Sequence, residues 1–232
     1  MTMNSIRLML IFLFSLPSFA SNFTLNEQIK VPHHPVLSNE DALGVDAVII
    51  KGQWKVKDVR DRFQKASAIY KRECGIKIFL KSLKVVEWKY PGSGLFYDLN
   101  DYFKDRYFDG TQQFLEDLNM TSRPLAIFLD SFDEYMPKLA TSFPKVSLAT
   151  DSNALNTLWI TNKVNKPSYL EKEPDSYSVL AHEIGHILLN ESHVFGKKPN
   201  IMHHKLQMLN DDFTEEQCLK MKKNIKSFIK KH

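Results

Sequence analysis

Two features of the sequence predict a single α/β (α+β) domain with a mixed, twisted sheet. Short apolar segments with the composition of strands recur along the chain, and between them lie longer segments whose apolar residues recur at helical spacing. Such an alternation is typical of a sheet covered by the helices that connect its strands. With 232 residues, the chain is long enough to form one domain with a full hydrophobic core.

The first half of the chain contains a predicted strand, a long helix and a second strand. Residues 46–51 (DAVIIK) have the apolar, β-branched composition of a strand. In residues 55–73 the apolar side chains recur at helical spacing, and Gly75 is a suitable helix end. Residues 76–88 are rich in β-forming residues and lead into a Pro-Gly-Ser-Gly turn.

The middle of the chain is predicted to contain a helix over residues 111–118 and three further strands. Residues 124–130 (PLAIFLD) form a short apolar run bounded by turn formers, which indicates a buried strand. Two shorter strands are predicted at residues 146–150 and 157–162.

Two more helices are predicted in the C-terminal third. From residue 175 the apolar period becomes helical, and Asp175 or Ser176 is a suitable N-cap. The last helix is expected to begin at about Thr214, with Glu215 and Glu216 in its first turn, where the helix dipole favours carboxylates.

The N-terminal residues have the pattern of a signal peptide. Arg7 precedes an apolar run over residues 8–16, and Ser18-Phe19-Ala20 is a small-x-small cleavage site. The apolar run is too short to cross a bilayer, which takes roughly 20 residues. We therefore expect residues 1–20 to be a signal peptide, the protein to be secreted or periplasmic, and no stable membrane insertion. Residues 21–44 are predicted to be an irregular segment, because they contain turn formers and little periodicity.

Composition and cysteine content exclude several classes of protein. The formal net charge of +4 gives no basis for nucleic-acid binding, and we expect a monomer. Cys74 and Cys218 are the only cysteines, which is too few for a cysteine-based zinc site. In an oxidising compartment an even pair predicts one disulfide, and two buried thiols are the alternative.

The chemistry of the chain is concentrated in one segment, His182-Glu183-Ile184-Gly185-His186. Two histidines four residues apart lie on the same face of a helix, so both imidazoles can reach one cation. Zinc suits these ligands and lowers the pKa of its bound water to near 7, and the intervening carboxylate accepts the proton. The segment therefore predicts a Zn²⁺ site with His182 and His186 as ligands and Glu183 as the catalytic base.

A surface helix that carries these residues by chance is the simplest alternative. Ile184, Ile187 and Leu188 make this helix apolar, however. Burying two histidines and a glutamate among such residues requires a compensating partner, and a metal ion supplies one.

More histidines follow the motif, since five of the eight in the chain lie between residues 182 and 204. His193 comes seven residues after His186, and residues 200–204 read Asn-Ile-Met-His-His. With these features the segment resembles the metzincins, zinc peptidases with the pattern H-E-x-x-H-x-x-G-x-x-H followed by a methionine turn beneath the metal. The resemblance implies a metzincin-like domain in which His193 is the third zinc ligand and Met202 is the methionine of the turn.

The chain departs from the metzincin pattern in its spacing. One additional residue separates His186 from His193, and no glycine lies between them. The family's glycine lets the chain leave the helix in a left-handed conformation, for which asparagine is the next-best residue. Asn190 stands at the glycine's offset from the third histidine and is expected to take its place. His204 stands where some metzincins have a tyrosine; it is expected to face solvent, with an approach to the metal as the alternative.

Together with the predicted signal peptide, the resemblance implies an exported zinc-dependent endopeptidase that hydrolyses peptide bonds of a protein or peptide substrate, with residues 45–232 as the catalytic domain. Two alternatives stay open. In a gluzincin-like peptidase, Glu215 or Glu216 would be the third ligand. In an inert exported zinc-binding module the metal would be bound without hydrolysis, although structural zinc sites are usually closed by four protein ligands.

Overall fold

Six strands form one mixed sheet in the computed structural model of the chain. The strands are β1 (Phe23–Ile29), β2 (Ala42–Ile50), β3 (Lys77–Trp88), β4 (Leu125–Leu129), β5 (Ala140–Phe143) and β6 (Thr157–Thr161). Their order across the sheet is β1-β3-β2-β4-β6-β5. The four inner strands are parallel to their inner neighbours, and the edge strands β1 and β5 are antiparallel. The structure describes residues 23–31, 41–88, 109–130, 140–144, 154–165, 178–191, 193–195, 198–203 and 212–229.

Four α-helices accompany this sheet in the described part of the chain: α1 (Val56–Cys74), α2 (Asp109–Leu118), α3 (Val179–Leu189) and α4 (Glu215–Ile229). Together with the mixed sheet they confirm the predicted α/β class. The predicted end of the long helix at Gly75 is also confirmed, because this residue caps α1 with a φ of 65°. Only glycine adopts this left-handed conformation without a steric penalty.

The helices cover the sheet on both faces. On one face Ala47, Phe128 and Ile160 belong to the core that includes α1, α3 and α4. On the other face Val48 and Trp159 pack with apolar residues of α2. Because β4 and β6 are buried on both faces, every residue of these strands is buried. This is why β4 and the three central residues of β6 are continuous apolar runs in the sequence rather than alternating ones.

β1 lies in the segment that the sequence predicts to be irregular, so that prediction is wrong for residues 23–29. This strand pairs with β3 at the edge of the sheet, and most of its residues are exposed. An edge strand that buries neither face needs no alternation of polar and apolar residues, and its backbone hydrogen bonds are not visible in a sequence. β2 likewise begins at Ala42 and includes Gly44, which the sequence assigns to the irregular segment.

Further expectations about the elements need correction or concern residues outside the described part of the chain. The N-cap of α3 is Ser178 rather than Asp175 or Ser176, and its hydroxyl accepts a hydrogen bond from the amide of Ala181 at 3.2 Å. β5 has no counterpart among the predicted strands, since its four half-buried residues form no apolar run. The strand predicted at residues 146–150 and the signal peptide lie outside the described residues.

A disulfide joins Cys74 at the end of α1 to Cys218 in α4, which confirms the predicted pairing. The two Cα atoms are 5.0 Å apart, within the usual range for a disulfide. It closes a loop with a sequence separation of 144 residues. In the loop-entropy account such a closure stabilises the folded state by about 5 kcal/mol. Among the described helices, none combines the length and the apolar composition that a membrane span requires.

Candidate metal centre

The candidate site is built on α3, a helix whose residues are all buried. His182, Glu183 and His186 are buried with the rest of the helix. From α1 the Tyr70 hydroxyl donates a hydrogen bond of 2.9 Å to the carbonyl of Ala181. This bond fixes the position of α3 along α1. The helix that carries the motif is therefore part of the core and not a surface helix.

Three histidine side chains converge at this helix. Nε2 of His182 lies 3.1 Å from Nε2 of His186 and 3.2 Å from Nε2 of His193. Among the described residues, these three form a group whose ligand atoms all lie within 4.8 Å of one another. A tetrahedral zinc ion with bonds of about 2.0–2.1 Å would hold two such nitrogens about 3.4 Å apart. The spacing therefore fits a single zinc ion.

Hydrogen bonds to backbone carbonyls determine which nitrogen of each helix histidine is protonated. Nδ1 of His182 is 2.5 Å from the carbonyl oxygen of Ile201, and Nδ1 of His186 is 2.8 Å from that of Glu191. A carbonyl oxygen only accepts, so each Nδ1 must donate its hydrogen and each neutral ring then has its lone pair on Nε2. Two lone pairs facing each other at 3.1 Å repel, and a shared cation removes this repulsion. The donor set thus fits a metal ion in chemistry as well as in distance.

The protonation state of His182 also suits a ligand. Burial, with the neighbouring His186 as a second cause, lowers the pKa of His182 to about 4, although its hydrogen bond to the Ile201 carbonyl acts in the opposite direction. The ring is therefore neutral at neutral pH. A metal ligand must be neutral, because a protonated imidazole has no lone pair to donate.

The turn that brings His193 to the site is formed by Asn190. This residue caps α3 in the left-handed conformation, with φ 54° and ψ 43°, and its amide donates to the carbonyl of His186 at 2.9 Å. From α4, the Asn224 side chain donates to the Leu188 carbonyl at 2.7 Å, which satisfies a second carbonyl at this helix end. The chain therefore leaves α3 at the position expected from the sequence. His193 itself is exposed, unlike the two helix histidines.

Met202 lies directly against α3, at Gly185. A Cβ atom on this glycine would be 2.3 Å from Sδ of Met202 and 3.4 Å from the Tyr70 hydroxyl. The glycine within the motif is thus required by the methionine that packs on it, a role that the sequence does not indicate. Met202 is completely buried, and its carbonyl accepts a hydrogen bond of 2.8 Å from the amide of Val194. That bond joins the methionine segment to the residue after His193.

The other candidate residues lie apart from the three histidines. Glu215 and Glu216 are exposed in the first turn of α4 and do not belong to the converging group. The carboxylate of Glu183 does not belong to it either. His204 lies outside the described residues.

Sequence reasoning missed the residues that support this centre. They include Ile201 through its carbonyl, Asn200, and Gln217 in the first turn of α4. The spacing of Thr214 and Gln217 is that of a capping box, and this pattern was the one available signal. Hydrogen bonds at this position confirm the cap: Gln217 Oε1 accepts from the Thr214 amide at 2.8 Å, and the Thr214 hydroxyl accepts from the Gln217 amide at 3.2 Å.

No family model matches this chain, and no curated protein matches it. Two solved structures match it in a comparison of folds. Metalloproteinase-II from Bacteroides fragilis has a TM-score of 0.53 at 14% sequence identity, and the match covers 85% of this chain and 57% of that one. Archaemetzincin from Methanopyrus kandleri has a TM-score of 0.48 at 15% identity, with coverages of 82% and 99%.

The likeness to the Bacteroides fragilis protein shows that this chain has the fold of a metalloproteinase. The chain spans 57% of that protein's length. Within the shared fold, this chain holds three histidines whose ring nitrogens lie close together.

Proposed function

We propose that the chain is an exported zinc-dependent endopeptidase with a signal peptide at residues 1–20, secreted or released into the periplasm. The observation that supports the enzyme most strongly is the convergence of three imidazole nitrogens on a buried helix that also carries Glu183. Residues 45–232 are the proposed catalytic domain, and the first residues of β2 and the edge strand β1 extend its sheet. The substrate is a protein or peptide, which a monomer of this chain cleaves.

In this proposal His182, His186 and His193 hold the zinc ion through Nε2. When bound, zinc acts as a Lewis acid that polarises a carbonyl group and lowers the pKa of a water ligand to about 7. Glu183 accepts the proton of the attacking water and returns it to the amine of the leaving peptide. The hydrogen bonds from Nδ1 of His182 and His186 keep both rings in one tautomer and one orientation throughout.

The number of converging ligands supports hydrolysis over an inert structural site. Structural zinc sites are usually closed by four protein ligands, whereas catalytic sites have three and leave one position for water or substrate. In the part of the chain that the structure describes, three ligand atoms converge. Glu183 stands outside this set but next to His182 in sequence, which suits a proton acceptor.

Substitution of Glu183 tests the proposed function. Glu183→Gln keeps the shape of the side chain and removes the proton acceptor, so we expect zinc to remain bound while kcat falls by at least about 100-fold. Cleavage of a random peptide library, with and without a chelator, measures activity and substrate preference together. Glu216→Gln is the matched control, since it removes an exposed carboxylate of α4 and should leave both zinc binding and turnover unchanged.

Each outcome of this experiment has a definite meaning. A Glu183→Gln variant with normal turnover would refute the mechanism. A wild-type protein that binds zinc and cleaves nothing would favour the inert module. Loss of zinc in the Glu216→Gln variant, or in its Glu215→Gln counterpart, would favour the gluzincin-like site.

A further inference from the structure

A pair of buried amide side chains lies where the methionine segment meets α4. Nδ2 of Asn200 donates to Oε1 of Gln217 at 2.9 Å, and Nε2 of Gln217 lies 3.4 Å from Oδ1 of Asn200. Both residues are buried. Oε1 of Gln217 also accepts from the Thr214 amide, so this one side chain joins the start of α4 to the segment before Met202.

Asn200 in turn accepts two hydrogen bonds that close the turn after it. Its Oδ1 accepts the Met202 amide at 2.9 Å, and its carbonyl accepts the His203 amide at 3.0 Å. These two bonds enclose Ile201, which is completely buried. The direction of the Ile201 carbonyl is therefore determined by a turn that Asn200 closes.

The Ile201 carbonyl is the acceptor for Nδ1 of His182. A continuous set of hydrogen bonds thus runs from Gln217 through Asn200 and the turn to the first ligand of the proposed metal centre. The backbone at Gln217 is also held covalently, because the next residue, Cys218, forms the disulfide with Cys74 of α1.

We propose that Gln217 is a positioning residue of the metal centre: it holds Asn200, and the turn that Asn200 closes directs the Ile201 carbonyl that orients the ring of His182. This inference rests on the proposed function, since it assigns Gln217 a role in preparing the ligand set. Partners of metal-ligating histidines commonly change metal affinity by about 10–100-fold when they are replaced. Because Gln217 acts through two intermediates, an effect of about 10-fold is expected.

The simpler role for Gln217 is to cap α4, and a matched control separates the two roles. Thr214→Ala removes the hydroxyl that accepts from the backbone amide of Gln217. It leaves both side-chain hydrogen bonds between Gln217 and Asn200 in place. Gln217→Ala removes the contacts to Asn200 as well. Gln217→Glu retains Oε1, which accepts from Asn200 and Thr214, but places an oxygen where Nε2 faced Oδ1 of Asn200, so it should rescue the alanine variant in part. Gln217→Met keeps the length and burial without the hydrogen bonds and replaces the alanine variant if that one does not fold.

The zinc dissociation constant, measured by competition with a chromophoric chelator, is the first readout. We expect it to rise about 10-fold in Gln217→Ala, to stay within about 2-fold of wild type in Thr214→Ala, and to recover in part in Gln217→Glu. Adding Gln217→Ala to Asn200→Ala should not weaken zinc binding further, because Gln217 acts through Asn200. Equal zinc affinities of the Gln217→Ala and Thr214→Ala variants, or a full additional loss in the double variant, would overturn the proposal.

A second readout needs no metal and separates this inference from the proposed function. In protein with ¹⁵N-labelled histidine and no metal, the Nδ1 proton of His182 should exchange with water about 10-fold faster in Gln217→Ala than in Thr214→Ala, because its acceptor is no longer held. If wild type binds no zinc but this difference is found, the proposed function fails and the positioning role stands. If wild type binds zinc and this exchange is the same in both variants, the positioning role fails and the proposed function stands.

Discussion

The three histidines of the centre come from two regions that are held in different ways. His182 and His186 lie on α3, which is buried along its whole length and packed against α1, α4 and the sheet. His193 is exposed and lies on the segment after the Asn190 turn. The spacing within one helix is enough to bring the first pair together. The position of the third histidine depends on the left-handed turn and on a hydrogen bond between the segment that follows it and the methionine segment.

Substitution of the histidines has the largest expected effect and tests this difference between the helix and the loop. His182→Ala should weaken zinc binding on the order of 1000-fold, since it removes one ligand and leaves a buried gap next to His186. His193→Ala should weaken it by about 100-fold, because water can reach the exposed position and replace the imidazole. Isothermal titration of zinc into the metal-free variants measures both. An unchanged affinity in His193→Ala would show that this histidine is not a ligand.

A smaller effect is expected where the helix meets the methionine segment. In an ordinary exposed helix, Gly→Ala stabilises by up to about 1 kcal/mol. At Gly185 the new methyl group would lie 2.3 Å from Sδ of Met202, so overpacking should prevail and destabilise the fold by about 1–3 kcal/mol. Urea unfolding of the metal-free protein measures the change. Met202→Ala in the same chain should relieve the clash, and additive effects of the two substitutions would contradict the contact.

The smallest effect is expected at the turn into the loop. Asn190→Ala places an alanine at a φ of 54°, which costs roughly 1–2 kcal/mol relative to a residue that accepts this conformation. Asn190→Gly should be neutral within a few tenths of a kcal/mol, since glycine adopts the left-handed region freely. The two free energies of unfolding are compared by the same urea titrations. Equal stabilities of the alanine and glycine variants would mean that the turn does not require this conformation.

The comparison also explains which features could be predicted from the sequence. The central strands and the helices show periodicities that follow from their burial, and the ends of α1 and α3 are marked by Gly75 and Asn190. The His182 and His186 pair follows from helical geometry alone. β1 could not be predicted, because an exposed edge strand does not require apolar residues at regular spacing.

The residues that support the centre could not be predicted from the sequence for a different reason. Asn200 and Gln217 are 17 residues apart in sequence, and only the packing of α4 against the methionine segment brings their amides together. The roles of Gly185 and the Ile201 carbonyl likewise depend on contacts between distant segments. A local pattern identifies ligands on one helix, but the hydrogen bonds that orient them come from the tertiary fold.

Anomalous diffraction at the zinc absorption edge, from crystals of the zinc-loaded protein, tests the central claim most directly. The account predicts one anomalous peak, bonded at about 2.0–2.1 Å to Nε2 of His182, His186 and His193, with the fourth position left to water. A peak whose third protein ligand is Glu215 or Glu216, or a protein that takes up no zinc at these histidines, would contradict it.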